Sequence, residues 1–450
     1  MKRRSFIQNA IIAGVATSFV SLSCARKMDS EIIILGGGIS GLYLAYLLES
    51  VGLEYILLEG SNRLGGRLFT HPEIKRDVGG RGIGDKYKEI MALVNALEVP
   101  MIDISDNING PSAVYLDGKL YKTWEDFSTN PAMLQFNNLK NRTSLVALNE
   151  WYQKPKLDEP YLDYLKRCGK SDKELDLINH TANYNDIATT SSVNAFHSSA
   201  FRTFNGSKRI LNFEGGTQNF IGAIHNTLTQ PCLTDKFVTS IADHETHVIV
   251  ACDDGSTYKG KKVISTLPFS TLRDVNLNAS VSVNQKKAID NLAYTKITQI
   301  HLNASEKFWE QDETPASMWT DTPIERIMDM NPDPEKNEMV CWVNGKGTAF
   351  FDGMSEKEIS NFVLKTMKDI RPASEGKLEY VGTHNWSKYK YNKGAYCEFL
   401  VGQAVWFNDM IKPAGNIHFA GEHTGKESRG IEAAAESARR VFNELIDKKK

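Results

Sequence analysis

Apolar positions gather along the chain in short β-branched runs, separated by amphipathic stretches and glycine-rich turns. Glu31-Ile32-Ile33-Ile34-Leu35 is the first such run. A continuous apolar run of this length, bounded by a turn signal, predicts a strand buried on both faces, as in parallel sheets. Leu42 to Ser50 carries Leu44, Ala45, Leu47 and Leu48 and predicts a helix; Tyr55-Ile56-Leu57-Leu58 predicts a second strand. Val238, Ile241, Val248-Ile249-Val250 and Val263-Ile264-Ser265-Thr266-Leu267-Pro268 predict more short strands, with a hairpin turn at Asp253-Asp254-Gly255-Ser256. Thr298 to Asn303, Met339 to Val343 and Leu378 to Val381 are further strands, and a helix is expected around Glu358 to Asp369. Residues 86–209 read as largely helical, around Met91 to Val94, Leu145 to Leu148 and Tyr161 to Leu165. A last helix runs from Ile431 to about Ile446, before Lys448-Lys449-Lys450. No internal repeat is present.

The alternation of strands and helices predicts an α/β fold. Its opening unit has a chemical purpose. Gly36-Gly37-Gly38-Ile39-Ser40-Gly41 follows the first strand and opens the helix, a G-x-G-x-x-G match. Gly36 permits the tight turn, Gly38 lets the backbone approach a pyrophosphate, and Gly41 lets helix and strand pack closely. Ile39 and Ser40 lie in the first helical turn, whose N–H groups face the phosphates. Glu59 ends the second strand, 18 positions after Gly41, where a carboxylate accepts hydrogen bonds from a ribose hydroxyl. Strand, turn, helix, strand and acid in this order predict dinucleotide binding.

Glu59-Gly60-Ser61-Asn62-Arg63-Leu64-Gly65-Gly66-Arg67-Leu68-Phe69-Thr70 continues the motif. This E-x3-R-x-G-G-R-x-x-T pattern resembles the extended FAD signature of the flavin-containing amine oxidases, the monoamine, polyamine and L-amino acid oxidases. Gly65-Gly66 would let the backbone pass close to the cofactor, and Arg63 and Arg67 would pair with phosphates or orient the loop. Asp77-Val78-Gly79-Gly80 with Gly84 resembles the family's second glycine segment, beside the flavin ring. Phe213-Glu214-Gly215-Gly216-Thr217 resembles its return to the FAD domain, and Val238 would pack near the adenine. Asn416 to Thr424 resembles the last strand and cofactor loop, in which Gly421 and Glu422 meet the ribitol or pyrophosphate. Ile431 starts a helix whose positive end would favour negative charge on the flavin.

The resemblance implies a Rossmann-like FAD-binding domain interleaved with an α+β substrate-binding domain. The FAD-binding pieces would be residues 31–85, 210–295 and 385–447, and the substrate domain residues 86–209 and 296–384, after a signal and tether at 1–30.

The expected site departs from the family. Trp386 and Gly394-Ala395-Tyr396 match its Trp and Gly-x-Tyr segment, so Tyr396 would be one wall of the amine cage. Ala395 stands where monoamine oxidases carry a flavin-linked cysteine, which implies noncovalent FAD. The second cage aromatic aligns with Gly430, which has no side chain, and Arg429 is its neighbour. The family lysine that aids reaction with oxygen aligns with Gln299; Lys296 is an odd number of residues away, so only a bulge would bring it to the same face. Arg81 lies one position before the arginine that clamps carboxylates in L-amino acid oxidases, and a guanidinium suits such a group. Other readings of Arg81 are a pair with a neighbouring acid or with the flavin.

Composition narrows the class. The chain has 450 residues, 53 Lys and Arg against 55 Asp and Glu, and a formal charge of −2. That balance gives no footprint for nucleic acid. The six cysteines show no C-x-x-C spacing, so neither a disulfide scaffold nor a cysteine zinc site is expected, and no metal is assigned.

The N-terminus reads as an export address. Lys2-Arg3-Arg4-Ser5-Phe6-Ile7 precedes an apolar stretch from about Ile11 to Leu22. This resembles a twin-arginine signal and implies the twin-arginine export machinery as a partner; an ordinary secretory signal is the alternative. Ser21-Leu22-Ser23-Cys24 resembles a lipobox apart from Ser21, and general signal-peptidase cleavage is the rival. A periplasmic or lipid-anchored protein would result. Loss of Lys2, Arg3 and Arg4 would leave a charge of about −5.

Three functions are compatible with these residues. The first is an FAD-dependent amine or L-amino acid oxidoreductase with oxygen as acceptor and a small-molecule substrate. The second is a desaturase or dehydrogenase of the same superfamily, acting on C–C bonds with another acceptor. The third is a flavoprotein without catalytic activity.

Overall fold

A computed structural model describes residues 28–123, 158–181, 184–329 and 336–447. The twin-arginine-like signal, Cys24 and the Leu145 to Leu148 run lie outside these residues. Among the described residues no helix is long and apolar enough to cross a membrane.

The chain opens with strand β1 (Ser30–Leu35), helix α1 (Ile39–Glu49) and strand β2 (Tyr55–Leu58). Strand β3 (Ile83–Gly84), helix α2 (Lys88–Ala96) and strand β4 (Met101–Asp103) follow. Next come the hairpin β5 (Ser112–Leu116) and β6 (Lys119–Tyr121) and helices α3 (Tyr161–Arg167), α4 (Asp172–Thr181) and α5 (Ser192–Phe204). The chain returns through β7 (Ile210–Phe213), α6 (Thr217–His225), β8 (Cys232–Leu233), β9 (Val238–His244), β10 (His247–Cys252), β11 (Thr257–Ser265), β12 (Asn276–Asn278) and α7 (Val283–Asn291). It then crosses into β13 (Ile297–Ala304), β14 (Ser317–Thr320), β15 (Arg326–Asp329), β16 (Glu338–Asn344), α8 (Glu356–Ile370) and β17 (Leu378–Asn385). Strand β18 (Ile417–Phe419) and helix α9 (Gly430–Asp447) close the fold.

Two sheets organise these elements. The first has the order β8-β2-β1-β11-β10-β9-β12, with β18 also paired to β11. Strands β1, β2, β8, β11 and β18 pair in parallel, which explains why β1 reads as an unbroken apolar run. The second has the order β17-β13-β16-β15-β14-β5-β6 and is mostly antiparallel. This is a Rossmann-like cofactor domain interleaved with an α+β domain.

Helix α1 is covered on its outer side by α9, and Leu42, Leu44, Ala434, Ala435, Ala438 and Val441 share one buried cluster. The alanines let the helices approach, and each large apolar side chain buried there contributes about 1.5–3 kcal/mol. In the second domain Ile359, Val363 and Met367 of α8 pack on Ile300, Leu302, Cys341 and Val343. Its start is held by a capping box between Ser355 and Glu358.

The expectation of a largely helical, substrate-side 86–209 is corrected in two places. Helix α2 packs against the cofactor domain: Glu432 of α9 accepts hydrogen bonds from the Glu89 and Ile90 N–H groups, and Arg439 donates to Glu89. A carboxylate at a helix N-terminus is favoured by the helix dipole. The hairpin β5-β6 extends the second sheet, because β5 pairs in parallel with β14, about 200 residues later in the chain. A pairing of that separation leaves no local trace in the sequence.

Candidate active site

A cleft of about 1330 Å³, counting its open mouth, runs between the two domains. At one end lie Gly36, Gly38, Ile39 and Ser40, Glu59 and Val238. The Gly36 backbone has φ +101°, and its N–H donates to the Leu58 carbonyl, so the chain turns sharply off β1. A Cβ at Gly41 would stand 2.0 Å from the Gly36 carbonyl oxygen. Gly41 therefore lies under the turn rather than on the cleft wall. Glu59 accepts from the Gly37 N–H at 2.7 Å and from the Ser61 N–H and hydroxyl at 2.9 and 2.7 Å. Those bonds orient its carboxylate at the cleft edge.

The loop from Arg63 to Arg67 folds over the start of α1. The Gly65 N–H donates to the Gly37 carbonyl at 2.8 Å, and the Gly66 Cα lies 3.9 Å from where a Gly38 Cβ would stand. The two arginines orient this loop. Arg63 donates to the Gly66 carbonyl at 2.7 Å and stacks 3.6 Å over the Phe69 ring. Arg67 donates to the Ala395 carbonyl at 2.6 Å and pairs with Glu422 at 3.0 Å. Glu422 also accepts from the Cys397 N–H and thiol. The Gly421 N–H is held by the Ser437 hydroxyl. Gly79 and Gly80 pass against this loop; a Cβ at Gly79 would fall 2.1 Å from the Arg67 carbonyl oxygen.

The far end of the cleft is aromatic. Tyr396, Trp386 and Trp342 line it together with Ile297, Gln299, Ala395, Gly430 and Ile431. Trp386 Nε1 and Gln299 Nε2 both donate to the Val78 carbonyl, at 2.8 and 2.9 Å. Gln299 is fully buried on β13, whereas Lys296 is exposed before the strand begins. The register of β13 with β16 is unbroken from Ile297 to Asn303, and the bulge toward β17 falls between His301 and Leu302. Nothing therefore turns Lys296 toward the cleft, which corrects its place among the site residues. Its backbone N–H is held by Asn185 instead.

Arg81 is half-buried, within electrostatic reach of Asp77 and Tyr396, and does not line the cleft. Burial lowers its pKa, with Asp77 and then Tyr396 acting in the other direction. At Gly430 the backbone has φ +59°, and an added Cβ would meet nothing within 4 Å. Arg429 turns to the Cys397 carbonyl and Asn194 at 3.2 and 3.4 Å.

Burial shifts several groups behind the cleft toward their neutral forms. Burial and the neighbouring Glu422 carboxylate push the Cys397 thiol well up. Burial lowers His423 to about 3, with Arg67 and Arg440 adding to the effect. Burial pushes the Glu398 carboxyl up to about 7, against hydrogen bonds from Thr190, Asn185 and Thr295. Among the described residues no cluster of His, Cys, Asp and Glu could hold a metal.

Sequence reasoning missed Trp342, Tyr389, Tyr391 and Asn392, all on the cleft wall. One signal was available for Trp342. In Glu338–Asn344 the residues Met339, Cys341 and Val343 alternate with Val340, Trp342 and Asn344, so a period of 2 separates a core face from a second, chemically mixed face.

A cradle of glycines at a helix N-terminus, joined to a long cleft, fits a dinucleotide with a planar head. On the same wall the buried Asn392 Nδ2 has no partner among the described residues. These features define a flavin-dependent oxidoreductase. The family model "Flavin containing amine oxidoreductase" matches residues 39–446, and the chain belongs to that family, whose cofactor is FAD. The chain is 25% identical to the flavin-dependent L-tryptophan oxidase RebO of Lentzea aerocolonigenes, over 91% of this chain and 96% of the relative. It is 23% identical to flavin-containing amine oxidase A of Canis lupus familiaris, over 92% and 85%. Among solved structures, cyclohexylamine oxidase from Brevibacterium oxydans IH-35A superposes with a TM-score of 0.78 at 16% identity, covering 94% of this chain and 99% of the other. Putrescine oxidase bound to putrescine superposes with a TM-score of 0.76, also at 16% identity, over 93% and 99%.

Proposed function

We propose that the protein oxidises the C–N bond of a small amine or L-amino acid to an imine, which then hydrolyses. The observation that carries this reading is the aromatic end of the cleft, where Tyr396, Trp342 and Trp386 enclose a space beside Gly79, Gly80 and the start of α9. FAD, when bound, supplies the hydride acceptor and passes the electrons onward.

The chain's own groups divide the remaining work. Gly38, Ile39 and Ser40 would hold the pyrophosphate, Glu59 the ribose and Val238 the adenine. Glu422, oriented by Arg67, would meet the ribitol or pyrophosphate. The N-terminus of α9 at Gly430 and Ile431 would stabilise negative charge at the cleft's inner end. The aromatic walls exclude water and favour the neutral amine, whose lone pair assists loss of the α-hydrogen. Arg81, through its charge, would favour a carboxylated substrate. Ala395 offers no sulfur, so FAD would be held without a covalent bond.

Oxygen is the proposed acceptor, with hydrogen peroxide as product. Gln299 at the family's lysine position, together with the exposed Lys296, supports a second reading: a dehydrogenase or desaturase that uses another acceptor. Residues 2–24 support export by the twin-arginine route with Cys24 as a lipid anchor.

Anaerobic mixing with a panel of amines and L-amino acids tests the first reading. At least one should bleach the yellow flavin, and admitted oxygen should restore the colour with release of peroxide. Bleaching only by a desaturable non-amine would overturn it.

A further inference from the structure

Gln299 and Trp342 stand directly opposite each other on β13 and β16, so their side chains share one face of the sheet, and both line the cleft. Each carries a buried polar atom with no partner among the described residues: the Gln299 Oε1 and the Trp342 Nε1. Native interiors leave few such atoms, and a pair of them side by side on a cleft wall points to a ligand.

The chemistry of the two atoms is set by their surroundings. The Val78 carbonyl can only accept, so the Gln299 amide nitrogen must face it, and Oε1 is left as an acceptor. The indole nitrogen can only donate. Arg326 stands opposite Trp342 on β15, its guanidinium carbon 5.5 Å from the Trp342 ring centre and 5.1 Å from that of Trp319. The cation over the ring holds the indole in place. Tyr396 belongs to the same apolar cluster as Trp342, while Gly430 leaves open space where the family's second aromatic aligns. Trp342 therefore stands as a second aromatic wall, brought by the other domain.

We propose that Gln299 and Trp342 together read the polar head of the substrate. Gln299 Oε1 accepts an N–H from the neutral amine, and Trp342 Nε1–H donates to a carbonyl or carboxylate oxygen on the adjoining carbon. Opposed Cβ atoms in an antiparallel pair are about 4.5–5.5 Å apart, which suits neighbouring groups of one small molecule. The substrate class is an amine bearing a carbonyl group, an α-amino acid or its amide; a plain amine satisfies only one of the two atoms. The inference rests on the amine-oxidation reading above.

Trp342→Phe keeps a ring in the wall and removes the donor. Wild type and variant are compared on L-phenylalanine, L-phenylalaninamide and 2-phenylethylamine, which share one side chain. The ratio of kcat/KM for the first two over the third should fall about tenfold, the worth of one hydrogen bond of this kind. A fall for the acid alone upholds the proposal in its carboxylate form. An equal change for all three, or none, overturns it, because a purely structural role would move all three together. Gln299→Leu should weaken all three, since each carries the amine. If none of the three reduces the wild-type flavin, the amine-oxidation reading itself has failed. The pair is then tested by the shift of the flavin spectrum on titration with 3-phenylpropanoate: about tenfold weaker binding in Trp342→Phe upholds the donor role, and unchanged binding overturns it.

Discussion

At the dinucleotide end of the cleft most of the protein's polar groups named above are paired with one another, Arg63 Nε excepted; at the end facing the second sheet two side by side are not. Glu59 is held by three donors, Arg63 and Arg67 by loop carbonyls, and Glu422 by Arg67 and Cys397. Gln299 Oε1 and Trp342 Nε1 have no partner among the described residues, and a Cβ at Gly430 would meet no described protein atom within 4 Å. The first end is held in shape by the chain's own bonds, which lowers the ordering cost of binding a cofactor there. The second leaves its hydrogen-bonding capacity to the substrate, which is where selectivity can be exercised.

The largest effect that would break this contrast is at Gly41. Gly41→Val places side-chain atoms on the Gly36 carbonyl, 2.0 Å from the new Cβ. It should cost at least about 3 kcal/mol and yield protein without flavin, read from the ratio of flavin to protein absorbance. Retained flavin at normal stability would show that the turn is not tightly organised. A smaller effect is expected at Arg67. Arg67→Met strands the buried Glu422 carboxylate, and about 2–3 kcal/mol should be lost in urea denaturation, less than for a fully buried pair because Arg67 is partly exposed. A negligible loss would mean that the Cys397 contacts alone satisfy Glu422. The smallest effect is expected at Gly430. Gly430→Ala meets no protein atom within 4 Å, so in the flavin-free protein it costs only the left-handed backbone, about 1 kcal/mol. A cost equal to that of Gly41→Val would mean that the two ends are equally packed.

Much of the cofactor domain was legible in the residues. Strands β1 and β2, helix α1 and the Gly36 to Gly41 turn lie within 29 positions of one another, and each has a local requirement: an apolar run, a positive φ, a helix start. The second domain was less so. Its strands β13, β16 and β17 appeared as apolar runs, but β5 and β6 fell in a stretch expected to be helical, because their alternation acquires meaning only beside β14.

Local sequence was thus sufficient for the class of fold, the cofactor and the family, since glycine geometry and helix-end electrostatics are properties of short segments. It also narrowed the oxygen-lysine question to Gln299 or Lys296. Only the assembled sheets decided between them, because the face on which a side chain stands depends on strand register, and β13 takes its register from β16. The same pairing placed Trp342 beside Gln299 and Arg326 behind Trp342. Those neighbours lie on three different strands, and hydrogen bonding between strands, rather than any local preference, brought them together.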